Sequence, residues 1–180
     1  MTELEQNCLE AFPAWLKALA DDARGLADAV ADEAAPDAVR RYAAGGLNYL
    51  FKSLDLIPDG IEDLGYLDDT FVIRVAMARA LAESPAGGET VPIAARLAKD
   101  TELISGLLEA DYARLETFVE RLKKGSARGR SVDDIMDDAE IRADLLNEVS
   151  GWATSYECPS FNRDQKILVK LKSFLRAKLP

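Results

Sequence analysis

Apolar side chains recur at three- and four-residue steps along almost the whole chain, and that period confines it to helices. Leu4, Cys8, Phe12, Trp15 and Leu19 fall on one helical face, and Ala23, Leu26, Ala27 and Val30 continue the stripe. No convincing two-residue alternation interrupts it, and no repeat of fold size is present. The expected fold is all-α, an irregular bundle of about eight helices. At 180 residues, 48% of them hydrophobic, the chain is long enough to bury a core without metals or disulfides. It reads as a single helical domain over 1–180.

The punctuation between stripes sets the expected elements. Pro13 predicts a break near Phe12. Pro36 suits the first turn of a second helix carrying Val39, Tyr42, Ala43, Leu47, Leu50 and Phe51. Gly45 and Gly46 inside it mark either a weak point or the close approach of a neighbour. A long helix with Phe71, Val72, Val75, Ala78 and Ala82 follows the segment 53–69. It ends at SPAGGETVP, the clearest loop in the chain. Residues 92–124 read as two short helices or one kinked one. Ser131 with Asp134 three residues later resembles a capping box, opening one helix that runs to Tyr156. A last amphipathic helix spans Arg163 to Lys178.

The segment SLDLIPDGIEDLGYLDD, residues 53–69, is the most unusual stretch. Its residues read as a capped helix–turn–helix elbow. Asp55 can accept amide hydrogens of the Leu56–Ile57 turn. Pro58 keeps Ile57 out of helical geometry. Asp59 can cap a short helix through Asp63, Gly65 suits a left-handed stop, and Asp68 can cap the long helix that starts near Asp69. Leu56, Ile57, Ile61, Leu64, Tyr66 and Leu67 supply apolar anchors.

The same acids admit a second reading. Asp55, Asp59, Glu62, Asp63, Asp68 and Asp69 lie within 15 residues, and hard oxygen ligands suit magnesium, calcium or manganese. Asp55, Asp59, Asp68 and Asp69 are the candidate metal ligands. The spacing is not that of an EF-hand loop. Structural capping is the preferred reading, with no cofactor expected and a divalent cation as the alternative.

LDLIPDGIEDLGYLDD resembles the core signature of the YkvA-like proteins, also called the DUF1232 domain. Asp55, Leu56, Ile57, Pro58 and Asp59 match its first half, and Gly65, Tyr66, Leu67, Asp68 and Asp69 its second. The resemblance covers about residues 41–81. The family usually has proline where Ser53 and Glu62 stand, and many members have apolar flanks that associate with membranes. Here the flanks carry Lys52, Glu62, Asp63, Arg74 and Arg79. The resemblance implies a soluble relative of the family's elbow and no particular reaction.

Composition removes several chemistries. The chain has no histidine, which excludes histidine-ligated zinc, histidine-activated nucleophiles and a histidine general base. Cys8 and Cys158 form no C-x-x-C pair, and the acidic N-terminus lacks a signal-peptide core. A cytoplasmic protein with free thiols is expected. No apolar run has transmembrane length. Acids outnumber bases 32 to 22, for a net charge of −10, so no nucleic-acid partner is expected.

Charge is unevenly spread. Residues 121–130 carry five bases and no acid, and residues 162–180 six bases and one acid. The first reads as a solvated loop, the second as a basic helix face (Lys166, Lys170, Lys172, Arg176, Lys178) paired with the acidic N-terminal helices or set against anionic lipid. DDIMDD at 133–138 resembles the aspartate box of isoprenoid synthases, but acids in a helix's first turn explain it more simply. The leading functional reading is a non-enzymatic helical interaction or scaffold module that binds a protein partner or itself. Trp15 and Trp152 are candidate anchors. The alternatives are a metal-dependent enzyme acting on a phosphorylated substrate through Asp55–Asp69, and peripheral membrane contact.

Overall fold

A computed structural model describes residues 1–52 and 55–180. The expected elbow begins at Ser53, so its first two positions lie outside the described residues. Among the described residues the chain forms ten helical segments and one tiny hairpin, in agreement with an all-α irregular bundle. None of these helices is long and apolar enough to cross a membrane.

Helix α1 (Glu3–Ala31) opens on a capping box between Thr2 and Glu5. It passes through Pro13 without ending, contrary to the expected break. The ring removes one backbone hydrogen bond, while Cys8, Leu9, Phe12, Trp15, Leu16 and Leu19 are all buried on either side of it. Burial of that face holds the helix together across the gap.

Helix α2 (Asp37–Leu50) is buried along nearly its whole second half. A Cβ on Gly45 would stand 2.8 Å from the carbonyl oxygen of Leu122. The glycine is there to let two helices approach, one of the two readings its position allowed.

Helix α3 (Leu67–Glu83) is the centre of the molecule. Every residue from Leu67 to Met77 is buried, and α1, α2 and the later helices surround it. Residues 85–91 are not all loop: α4 (Gly87–Thr90) is a single helical turn, with Gly87 pressed on Val39. Residues 92–122 form three segments rather than two: α5 (Pro92–Lys99), α6 (Thr101–Leu108) and α7 (Asp111–Leu122). Glu109, at φ 54°, turns the chain between the last two.

The basic stretch 121–130, expected as a solvated loop, runs from the last residues of α7 through a turn into a short hairpin. Strands β1 (Ser126–Ala127) and β2 (Arg130–Ser131) pair antiparallel. Arg128 and Gly129 both take positive φ, the arrangement a two-residue hairpin turn needs. Arg128 and Arg130 bind the two carboxylate oxygens of Glu148 and lie over the ring of Phe51.

The expected capping box of Ser131 and Asp134 is present and opens α8 (Val132–Asp137). The helix does not continue to Tyr156. Asp138 leaves helical geometry, and its carboxylate accepts the amides of Glu140 and Ile141 to start α9 (Ala139–Ser155). Helix α10 (Gln165–Lys178), capped by Asp164, closes the chain. Its bases reach Asp111 through Arg176 and Glu109 through Lys172, and among the described residues none pairs with an acid of α1. Buried apolar side chains from Cys8 to Leu179 form one cluster.

Candidate functional site

The elbow joins the last turn of α2 to the first turn of α3. Tyr49 is buried near the end of α2, and its hydroxyl donates to Asp68 Oδ2 at 2.5 Å. The same hydroxyl accepts the amide hydrogen of Leu56 at 2.7 Å. Asp68 Oδ2 also accepts the amide of Ile57 at 3.2 Å. One tyrosine and one aspartate thus bind the two consecutive amides that begin the elbow. These amides cannot find helical partners beside Pro58, and buried amides left unpaired are costly.

This differs from the expected capping in each particular. Asp68, eleven residues along, receives the amide that Asp55 was expected to take, and Tyr49 receives the other. No helix runs from Asp59 to Asp63. The backbone descends through successive turns instead, with Ile61 N bonded to Pro58 O, Leu64 N and Gly65 N to Ile61 O, and Leu67 N to Leu64 O. The left-handed residues are Asp63 and Tyr66, at φ 67° and 64°, not Gly65. Gly65 serves close packing, since a Cβ there would lie 2.1 Å from the Asp59 carbonyl oxygen. Asp68 does not cap α3 either. The cap position is Tyr66, without a side-chain hydrogen bond, and Asp68 turns back toward the elbow.

Asp55 and Asp59 lie close enough to Asp68 and Asp69 for their charges to act on them. The bond from Ile57 draws Asp68 beside residues 55–57, and the Asp59 carbonyl against Gly65 brings Asp59 next to the start of α3. Asp68 and Asp69 are buried in the first turn of α3. Asp55 is half-buried and Asp59 exposed at the rim. Asp55 Oδ1, Asp68 Oδ1 and Asp69 Oδ1 are shut from solvent and have no hydrogen-bond partner among the described residues.

Charge in this setting is expensive. Burial pushes the Asp55 carboxyl up to about 6, with the Asp59 charge adding to it and Lys52 opposing. Burial raises Asp59 as well. Asp68 is raised by burial, against the stabilising bonds from Tyr49 and Ile57. Asp69 is raised by burial and then by the charge of Asp68. Tyr49 is held protonated by burial and by Asp68 beside it, so it stays a donor.

Oxygen donors are all that this site offers, so a bound ion would be a hard one. Among the described residues, no three acid or thiol side chains are grouped as a ready-made metal shell. Beside the acids, Tyr66 packs against Trp152 and Tyr156, with ring centroids 6.1 and 5.4 Å away. Tyr156 is anchored through its hydroxyl to Leu16 O. Trp152 therefore belongs to the elbow's wall, whereas Trp15 is core.

A second polar cluster went unanticipated. Arg74, 1% exposed, lies between Asp22 and Asp100. Its Nε donates to Asp100 at 2.9 Å and its Nη1 to Thr70 O at 3.1 Å. Arg96 completes the group, donating to Asp22 Oδ1 at 2.6 Å. An arginine in the most apolar stretch of the chain was the available signal, because a charge there needs buried partners.

The other acidic motif is accounted for locally. Asp133 pairs with Arg41, Asp134 and Asp138 cap helices, and among the described residues none of the three is bonded to the elbow. Cavities of about 530 Å³, lined by Trp15, Lys99, Asp100 and Leu103, and about 410 Å³, lined by Arg41, Glu83, Lys123 and Asp133, lie away from the elbow.

No curated protein and no solved structure matches the chain. Residues 39–74, which comprise most of α2, the elbow and α3 as far as Arg74, match the family described as "Protein of unknown function (DUF1232)".

Proposed function

We propose that this chain is a non-enzymatic helical interaction module whose family segment is a braced elbow presenting a surface to a protein partner or to a second copy. The observation that carries this reading is the use made of Asp68. Its Oδ2 is committed to the hydroxyl of Tyr49 and the amide of Ile57, as a carboxylate that shapes backbone would be.

The rim outside that brace supplies contact chemistry. Tyr66, Trp152 and Tyr156 are partly exposed beside Pro58, Asp59, Gly60 and Glu62, which are exposed. Aromatic anchors ringed by polar groups are common at the centres of protein interfaces. The module works in the cytoplasm on this reading, with Cys8 buried and Cys158 exposed, both as free thiols.

The test pairs light scattering and affinity capture with an activity assay. Wild type is expected to self-associate or to retain a protein that Trp152→Ala and Tyr156→Ala, still folded by circular dichroism, fail to hold. It is expected to release no phosphate from phosphomonoesters or diphosphates in millimolar magnesium. Turnover that disappears in Asp69→Asn would overturn the proposal in favour of a metal-dependent enzyme.

A further inference from the structure

Helix α10 buries one face and leaves the other bare. Ile167, Leu168, Leu171 and Leu175 are buried and fix the helix on its own bundle. Lys166, Val169, Lys170, Ser173 and Ala177 are exposed, and their three- and four-residue spacing puts them on one face. Val169 is 63% exposed, and Ser173 donates its hydroxyl hydrogen to the Val169 carbonyl. Beside Val169 lies a groove of about 250 Å³, lined also by Leu4, Gly106, Leu107 and Leu168. The acids at this groove are already bound, Glu5 to Thr2 and Gln165 and Glu109 to Lys172. Lys166 and Lys170, with Arg163 just before the helix, enter no ion pair among the described residues.

The elbow carries the opposite pattern. Residues 55–73 hold six acids and no base. Asp59 and Glu62 are exposed, and so is Glu157 next to Tyr156. None of the three enters an ion pair among the described residues. Tyr66, Trp152 and Tyr156 stand partly exposed beside them, with Asp59 close enough for its charge to act on Tyr66.

We propose that the outer face of α10 docks on the elbow rim of a second copy of this chain. Lys166 and Lys170 meet Asp59, Glu62 and Glu157 there, and the groove beside Val169 meets Trp152. This rests on the interaction-module reading and names its partner. The two patches are opposite in sign, which steers encounter and fixes register. Each has an apolar or aromatic middle ringed by charge, the arrangement of a protein interface. The buried leucines hold α10 on its own bundle, so the elbow it meets belongs to another molecule. A lipid surface fits α10 less well. A helix lying in a membrane needs a broad apolar face, and the apolar face of α10 is already buried in the core.

Light scattering and sedimentation of the full-length chain at low and high salt test this. Wild type is expected to associate at low salt and to bind about tenfold or more weaker at high salt. Two charge reversals at exposed positions, Lys166→Glu with Lys170→Glu and Glu62→Lys with Glu157→Lys, should each give a folded monomer by circular dichroism. An equimolar mixture of the two variants should associate again, because each then offers the other a patch of opposite charge. A mixture that stays monomeric overturns the proposal. Association that Trp152→Ala abolishes and the α10 variant keeps also overturns it, while leaving the interaction-module reading intact. Wild type that stays monomeric, yet floats with phosphatidylserine vesicles through Lys166 and Lys170, overturns it in favour of a lipid surface.

Discussion

The guanidinium of Arg74 lies 4.2 Å from the centre of the Trp15 ring. The planar cation is sandwiched between that aromatic face and the carboxylates of Asp22 and Asp100. Arginine suits such a place because its fork donates in plane while its face stacks. The contact ties α1 to α3 and, through Asp100, to the junction of α5 and α6. It also fixes the far end of the family segment, whose match stops at Arg74.

Removing this cation should be severe. Arg74→Leu leaves Asp22 buried and facing no guanidinium from α3, and breaking a buried pair from one side typically costs about 3–5 kcal/mol. Urea denaturation followed by Trp15 fluorescence should show a loss of that order. Adding Asp22→Asn to Arg74→Leu should recover part of it, since the second change removes one of the two carboxylates that would otherwise share Arg96 as the remaining guanidinium of the group. A loss below about 1 kcal/mol for the single variant would mean that the network contributes little.

Two elbow glycines should behave oppositely. Gly65→Ala drives a methyl to 2.1 Å from the Asp59 carbonyl oxygen, backbone that cannot swing aside, so a loss of about 2 kcal/mol or more is expected. Gly60→Ala meets nothing within 4 Å, and its φ is not in the left-handed range. Its effect should lie within about 1 kcal/mol of zero, with a slight gain from the stiffer unfolded chain. Thermal melts of the two variants side by side check the contrast, and equal losses would refute the packing at Gly65.

Asp55 gives a pH dependence of defined sign. Its folded carboxyl titrates at about 6, raised from an ordinary 3.8 by burial. The folded chain therefore binds this proton more tightly than the unfolded chain does. Stability from this group is complete below about 3.8, declines as pH rises to about 6, and stays reduced above that. Carboxyls held low, such as Asp134 at its helix cap, act in the opposite direction, so the comparison must be a difference. Chelator-treated wild type and Asp55→Asn should diverge across pH 4–6, the variant gaining relative stability as pH rises. Parallel curves would contradict the burial of this carboxyl.

What the sequence discloses here is mostly local. The helical stripes of α1, α3 and α10 and the Ser131–Asp134 capping box follow from periodicity and from contacts three or four residues apart, and the structure has them. The elbow was visible as a place, because ten residues at fixed spacing carry the family signature. Its wiring was not. Asp55 and Asp68 are equally plausible partners for the amide of Ile57 until the chain is folded, since the choice depends on how α3 returns beside residues 55–57. Tyr49 read simply as part of an apolar helix, although its hydroxyl is the other half of the brace.

Longer-range partners were hidden for the same reason. Arg74 looked like an interruption of an apolar helix because Asp22 and Asp100 lie far away in sequence. The bases of α10 were assigned to the acids of α1, while Asp111 and Glu109 sit closer in space. Arg128–Gly129 carried a hairpin signal in its glycine that charge alone obscured. Pro13 shows the limit of a local rule, because one lost hydrogen bond is outweighed by a buried helical face.

The claim on which the rest depends is that Tyr49 and Asp68 hold the elbow's backbone in place. Amide hydrogen exchange at Leu56 and Ile57, resolved residue by residue in wild type and in Tyr49→Phe, tests it most directly. Removing the hydroxyl strips the acceptor from Leu56 and the donor from Asp68, a change of about 1–3 kcal/mol in local opening. The expected result is exchange at Leu56 about tenfold faster or more, a smaller increase at Ile57, and unchanged protection in the middle of α3. Equal exchange at Leu56 in the two proteins would contradict the account.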